Sequence, residues 1–285
     1  MPGTTPFLQL LTGSFSTPAA GNPTVAIVEA AYAHHAIPAR YINCDVAPAH
    51  LGDAVRGAVA MGWIGFNCSL PHKQTVIPYL DELGQSASLI GAVNCVVRRG
   101  DLLIGENTDG QGFLTSLRPV ADPRGARVTI LGAGGAARAI AVELALAGAA
   151  AITIVNRDLG RAEALAQTIR AVTATAVDTV RWTGPYAISP PTTILVNATS
   201  VGLAPNIDER LNLDLDTLHA HLVVCDVIMN PPQTHLLRAA AARGATVLDG
   251  RGMLVNQAAL NVRYWTGVEV DTPVLRAALD AVLPG

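Results

Sequence analysis

Short apolar runs alternate along the chain with stretches whose apolar residues recur every three or four positions, a pattern that predicts strands and helices in turn. Residues 7–11 predict a first strand, followed by a small, polar loop from 12 to 23. Thr24 is a candidate cap, and Val25, Val28, Ala31 and Tyr32 behind it predict a helix through residue 35. A strand over 40–46, a helix over 48–61 and a strand over 63–68 follow. Pro71 stiffens the next turn, with helix expected from 73 to 79 and from 81 to 90. Residues 91–97 and 101–104 predict a hairpin.

Beyond it, a strand over 127–131, a glycine-rich turn, a helix over 135–147 and a strand over 151–155 form a βαβ unit. Further strands are expected at 193–197, 222–227 and 245–248, and helices at 159–171, 233–243, 258–265 and 273–282. Alternation of this kind points to an α/β fold built on open parallel sheets, whose ligands lie beyond the carboxyl ends of the strands.

The 285 residues suit two domains of ordinary size, and a chain half hydrophobic can build sizeable cores for both. A formal charge of −3 with no basic run excludes an electrostatic case for nucleic acid. Cys44, Cys68, Cys95 and Cys225 form no Cys-x-x-Cys pair, so they read as free thiols in a reducing cytoplasm. Neither a signal peptide nor a membrane span is expected, and no metal site. His34 and His35 point to different faces of their helix and read as surface or internally satisfied residues, since ligands need i, i+4 spacing or a third partner. The oligomeric state stays open, a homodimer among the options.

The candidate chemistry lies at strand ends. Lys73 follows the third strand in Asn67-Cys68-Ser69-Leu70-Pro71-His72-Lys73, and Asp109 sits in Gly105-Glu106-Asn107-Thr108-Asp109-Gly110-Gln111-Gly112-Phe113. A carboxylate between Thr and Gly can be a turn or cap residue, or an acid or base with Lys73 as partner. Asn94 on an apolar strand is either a core amide satisfying backbone or a ligand contact. In the glycine-rich turn, Gly132 allows the tight bend, Gly134 lets N–H groups approach a pyrophosphate, Gly135 and Ala136 open the helix, and Ala137 permits close packing. At the tip of the next strand, Asn156 and Arg157, with Arg161 one turn on, favour the 2′-phosphate of NADP, whereas Asp158 favours NAD. Thr199 and Gly252, in small polar stretches at further strand ends, complete the candidate cofactor set.

With these stretches in place, the chain resembles the shikimate dehydrogenase family over nearly its whole length. The resemblance runs through residues 67–73, GAVNCVV at 91–97, GENTDGQGF at 105–113, LGAGGAARA at 131–139, VNR at 155–157, VNATSVGL at 196–203, DVIMNPPQT at 226–234 and GMLVNQAA at 252–259. It implies an N-terminal open α/β substrate domain, residues 1–111 with 253–285, and a Rossmann domain over 112–252. It also implies reversible reduction of 3-dehydroshikimate, or a related ring acid, with NADP or NAD, a chemistry of aromatic amino acid biosynthesis. By position, Lys73 and Asp109 match the family's catalytic pair, and Ser69, Asn94 and Gln257 match residues that bind ring hydroxyls.

Two departures stand out. The family's Ser-x-Ser-Pro loop, whose hydroxyls bind the substrate carboxylate, is here TGSFSTPAAGNPT. Counting back from residues 29–32 puts Asn22 and Thr24 at the serine positions; counting forward from Gly13 puts Ala19 and Gly21 there, with a three-residue insertion. Ser14 and Ser16 share the spacing but sit too early. Met229 stands where the family commonly has a substrate-contacting Tyr. Poor use of shikimate and better use of a ring acid with different or fewer polar substituents are therefore expected. The alternatives are an NAD-dependent quinate or aminoshikimate-type dehydrogenase and a cofactor-binding regulator without turnover; Lys73 and Asp109 speak against the last.

Overall fold

In the computed structural model, which describes residues 7–283, the first strand lies later than its apolar run suggests: β1 spans Leu10–Ser16. Thr12, Ser14 and Ser16, expected in a loop, are buried within it. β1 lies between two neighbours in its sheet, and two of these three polar side chains find partners there, whereas Ser16 Oγ has none among the described residues. Thr12 Oγ1 meets Tyr32 OH at 2.8 Å and donates to the Arg40 carbonyl, while Ser14 Oγ donates to Asn43 Oδ1 at 2.8 Å.

The chain divides into two compact units, one of residues up to 108 together with those from 257 on, the other of 109–256. The first continues with α1 (Thr24–His34), β2 (Ala39–Asp45), α2 (Leu51–Ala60), β3 (Gly65–Cys68), α3 (His72–Thr75), β4 (Glu82–Leu83), α4 (Gln85–Ile90), β5 (Cys95–Arg99) and β6 (Leu102–Glu106). Its sheet runs β2-β1-β3-β5-β6-β4. β1 pairs in parallel with β2 and β3, whereas the β5–β6 hairpin is antiparallel, so the sheet is mixed rather than wholly parallel. The helix expected from residue 81 gives way to β4, which pairs with β6, and Asp81 accepts the Leu103 N–H at 2.7 Å. Phe15, Trp63 and Phe66 anchor the core on one side of this sheet, with the Phe15 and Phe66 rings stacked at 4.6 Å.

The second unit holds α5 (Asp109–Leu117), β7 (Arg127–Leu131), α6 (Gly135–Leu146), β8 (Ala151–Asn156), α7 (Leu159–Val172), β9 (Ala176–Arg181), the short pair β10 (Tyr186–Ala187) and β12 (Leu213–Asp214), β11 (Ile194–Asn197), β13 (Val223–Asp226), α8 (His235–Ala241) and β14 (Thr246–Leu248). Its main sheet is parallel throughout, in the order β14-β13-β11-β7-β8-β9. Strand order reverses at β7, and in open α/β sheets ligands bind at such a switch point, here the carboxyl edge between β7 and β11. α5 lies close on α6 because Gly110 has no side chain: a Cβ there would collide with the Ala139 carbonyl oxygen. β9 has no sequence signature of its own because, as an edge strand, it is only partly buried.

The chain returns through α9 (Gly250–Thr266), which begins eight residues before the expected helix, and ends on α10 (Thr272–Val282). α10 packs on α1 through Leu275 and Leu279, both fully buried. There Asp271 satisfies the paired histidines: its N–H donates to His35 Nε2 at 3.0 Å, and its carboxylate lies 3.4 Å from His34 Nε2. Among the described residues, no helix is long and apolar enough to cross a membrane.

Candidate active site

In the first unit, the turn after β3 carries Ser69 and Lys73 and is fixed from several sides. The Ser69 N–H donates to the Phe15 carbonyl, and the Val93 N–H donates to the carbonyl of Lys73 at 2.7 Å. His72, fully buried, places Nε2 at 2.7 Å from the Val46 carbonyl. Lys73, half-buried on α3, therefore has a rigid backbone.

A buried amide network stands beside that turn. Tyr41 OH donates to Asn67 Oδ1 at 2.8 Å, and Asn67 Nδ2 donates to the Asn94 carbonyl at 2.8 Å. Asn94 Nδ2 donates to Thr108 Oγ1 and to Gln257 Oε1, each at 3.0 Å, and Asn94 Oδ1 accepts the Thr108 N–H. Thr108 Oγ1 donates in turn to Asn261 Oδ1 at 2.8 Å. The Asn94 amide thus accepts a backbone N–H, orients Gln257 and pins the residue just before Asp109. Asp109 is buried and opens α5, where a carboxylate also favours the helix dipole.

In the loop after β1, the polar groups are bonded to one another and to β2. Asn22 Nδ2 donates to Ser14 Oγ at 3.2 Å, Ser14 Oγ donates to Asn43 Oδ1, and Asn43 Nδ2 donates to the Asn22 carbonyl at 2.9 Å. Asn22 Oδ1 accepts the N–H of Thr24, the first residue of α1. The loop's Ala19 N–H is held by Asp45 Oδ2 at 3.2 Å. Hydrogen bonds from the Thr17 hydroxyl and then the Ala19 N–H hold the Asp45 carboxyl below the usual range, so it is ionised at neutral pH. Ser14, Asn43 and Asp45 were not singled out as site residues from the sequence. Their pairing across β1 and β2 is set by strand register, which a linear reading does not supply.

In the second unit, the turn after β7 fits a dinucleotide. Gly132 has φ +107° and gives its N–H to the Val155 carbonyl. No side chain caps α6, whose N-cap is Gly134, and added Cβ atoms at Gly134 or Gly135 would meet nothing within 4 Å. Together with Ala136, these residues offer the N–H groups of a helix start to a pyrophosphate. Ala137 is fully buried, as close packing requires. At the tip of β8, Asn156 Nδ2 bonds the Asp158 carbonyl at 2.7 Å, and Arg157 is exposed. The Asp158 carboxylate caps α7 by accepting the Arg161 N–H at 3.2 Å and lies 3.6 Å from Arg161 Nε. That engagement weakens the argument for NAD, because the carboxylate is used locally. Gly252, on α9, gives its N–H to Asp249 and has no room for a Cβ beside Ser116 Oγ. The carbonyl of half-buried Met229 accepts from Arg251 Nε at 3.0 Å.

Thr199 belongs to a second buried network. Its N–H and Oγ1 both donate to Asn197 Oδ1, at 3.1 and 2.7 Å. Asn197 Nδ2 donates to Asp226 Oδ1 at 3.0 Å. Burial pushes the Asp226 carboxyl up from 3.8 to about 6, against the lowering effect of its hydrogen bonds with Thr234, Ile228 and Asn197. Since the folded state holds the proton more tightly than the unfolded one, this group's contribution to stability is greatest in acid and is lost as pH rises from about 4 to about 6. Asp226→Asn is expected to raise the melting temperature at about pH 8 but not at about pH 4, as read by thermal melts at both. The cysteines are free, and burial pushes the Cys68 thiol up to about 12, so it is inert as a nucleophile.

Comparison with known proteins places these units in a family. The model of the shikimate dehydrogenase substrate-binding domain matches residues 16–96, that of shikimate/quinate 5-dehydrogenase matches 117–182, and that of the shikimate 5′-dehydrogenase C-terminal domain matches 250–279. The shikimate dehydrogenase (NADP+) of Methanopyrus kandleri is 44% identical over 243 residues, 84% of each chain. The ligand-free crystal structure of the 5-ketofructose reductase of Gluconobacter sp. strain CHM43 is similar with a TM-score of 0.94 and 55% identity, over 97% of this chain and 100% of that one. A shikimate dehydrogenase solved in complex with NADP+ has a TM-score of 0.89 and 34% identity, over 97% of this chain and 96% of that one.

Proposed function

The chain belongs to the shikimate dehydrogenase family, and from that premise we propose that Lys73 and Asp109 drive reversible, NADP-dependent oxidation of a secondary alcohol on a small polyhydroxylated ring. It is an NADP-dependent oxidoreductase. The observation that carries the reading is the network Asn67–Asn94–Thr108–Gln257, which rigidly presents polar groups between the Lys73 turn and the residue preceding Asp109. The cofactor supplies the hydride when bound. Lys73 hydrogen-bonds the carbonyl oxygen, polarises it and delivers the proton the new alcohol requires; in reverse, it takes that proton up. Asp109 orients the ammonium and bonds the same hydroxyl. Ser69 and the Gln257 amide hold ring hydroxyls, with Gln257 kept in place through Asn94.

Gly132, Gly134, Gly135 and Ala136 would hold the pyrophosphate, Thr199 and Gly252 the remainder of the cofactor, and Asn156, Arg157 and Arg161 the 2′-phosphate. Arg157→Ala is expected to weaken NADP binding roughly ten- to a hundredfold while NAD is nearly unaffected, the scale of one charge-assisted contact of about 1.5–3 kcal/mol. Titration with both nucleotides checks this, and equal loss for NAD would move the phosphate contact elsewhere. The free cysteines support a cytoplasmic location.

A second reading of the substrate is favoured by the loop after β1. Its Ala19 N–H is bonded to a carboxylate, Asp45, and its Asn22 and Ser14 groups are bonded to one another. Such a loop suits an uncharged polyhydroxy ketone better than a carboxylic acid, and the 55% identical neighbour is named for a ketose. Following NADPH oxidation with 3-dehydroshikimate, dehydroquinate and 5-ketofructose tests both readings. No turnover with any of them, alongside tight NADPH binding, would favour a regulator instead.

A further inference from the structure

We propose that Asp226 is a positioning residue for the nicotinamide half of NADP(H), tying together the two loops that leave the carboxyl edges of β11 and β13. This role rests on the cofactor placement proposed above. The turn after β7 takes the pyrophosphate and the tip of β8 the 2′-phosphate, so the other half of a dinucleotide lies on the opposite side of β7, over β11 and β13. The loop after β11 adjoins that turn: a Cβ on Gly132 would stand 3.0 Å from the Ala198 carbonyl oxygen and 3.2 Å from Thr199 Cγ2.

Asp226 reaches both loops at once. Oδ1 accepts from Asn197 Nδ2 at 3.0 Å and from the Ile228 N–H at 3.1 Å, while Oδ2 accepts from Thr234 Oγ1 at 2.8 Å. Asn197 passes the constraint on through Thr199, whose Oγ1 accepts the Val201 N–H at 3.2 Å. Thr234 caps α8 by accepting the Leu237 N–H, which closes the segment that follows β13. Asn197, Asp226 and Thr234 are 0%, 3% and 4% exposed, so no water competes for these bonds. Glu209 and His235 line a small cleft with Asp226, and Cys225 precedes it. Burial, and then Arg210 and Arg238, hold His235 below its ordinary range, so His235 itself is neutral at neutral pH and is no cationic partner for Asp226. A carboxylate in such a place costs desolvation. What it provides is two oxygens that can accept from three donors on two loops.

The test separates the two halves of the cofactor by binding alone, using NADPH and the fragment 2′,5′-ADP. Asp226→Ala should weaken NADPH roughly ten- to thirtyfold and leave 2′,5′-ADP within about twofold, the scale of one or two lost hydrogen bonds. Asp226→Asn should restore NADPH binding, because its oxygen still accepts the two N–H groups and its amide can donate to Thr234 Oγ1. Asn197→Ala should reproduce the Asp226→Ala pattern, and the double variant should add little, since the two act through one strut. If Asp226→Ala does not fold, Asn197→Ala carries the same comparison. Parallel weakening of both ligands, weakening of neither, or an Asp226→Asn variant as poor as Asp226→Ala would overturn the proposal.

Discussion

Lys73→Ala is expected to lower turnover by roughly two to four orders of magnitude while NADPH binding stays near its original value. The side chain has two tasks in the reaction, polarising the carbonyl and supplying the proton, and alanine performs neither. The backbone should survive the change, because the turn is held by bonds that do not involve the ammonium: the Val93 N–H to the carbonyl of residue 73, and His72 to the Val46 carbonyl. Asp109→Asn should be nearly as damaging, since an amide cannot hold an ammonium by charge. Its fold should also be retained, with Thr108 anchored to Asn94 and Asn261 beside it. Steady-state rates with the true substrate, together with cofactor titrations, check both variants. Wild-type rates in both would remove the acid–base pair from the mechanism, whereas lost cofactor binding would mean that they had been assigned the wrong task.

What could be read from the linear chain followed from local physics. The βαβ unit was legible because Gly132 needs a positive φ and Ala137 a buried, close-packed helix start, and both requirements leave marks in residue type. The Lys73 turn was legible for a similar reason, through Pro71 and the strand before it. β1 lies four residues or so later than its apolar run because Thr12, Ser14 and Ser16 look like a loop; the burial of Thr12 and Ser14 depends on partners at Tyr32, Arg40 and Asn43, far along the chain. β4 was read as helix because its pairing with β6 is non-local. The same limitation hid Asp45 and Asp226. Each is an ordinary Asp at the end of a strand, and only three-dimensional register reveals that one holds the loop after β1 while the other links two loops of the parallel sheet. Asn22 and Thr24 were reached through residue counting, but the bonds that commit Asn22 to Ser14 and Asn43 were not.

Those bonds lead to the second large expectation, that 5-ketofructose is reduced with a kcat/KM roughly a hundredfold or more above that for 3-dehydroshikimate. Two hydroxyl contacts to a carboxylate are worth about 1.5–3 kcal/mol each, and here the equivalent groups are an Asn already bonded within the loop and a Thr whose N–H is taken by that Asn. Asp45 adds like-charge repulsion at the Ala19 N–H, an effect absent for an uncharged ketose. Met229 places an apolar, adaptable side chain where the family commonly has a phenol. The discrimination should therefore fall mainly on KM for the acid. Asp45→Asn alone should lower that KM while leaving the ketose nearly unchanged, which separates repulsion from missing donors. Adding Asn22→Ser, Thr24→Ser and Met229→Tyr should move the preference further toward the acid at the ketose's expense. Steady-state comparison of the two substrates across this series decides the matter. If the unmodified enzyme already prefers the acid, or if Asp45→Asn leaves the acid's KM where it was, the loop after β1 does not set the substrate's charge.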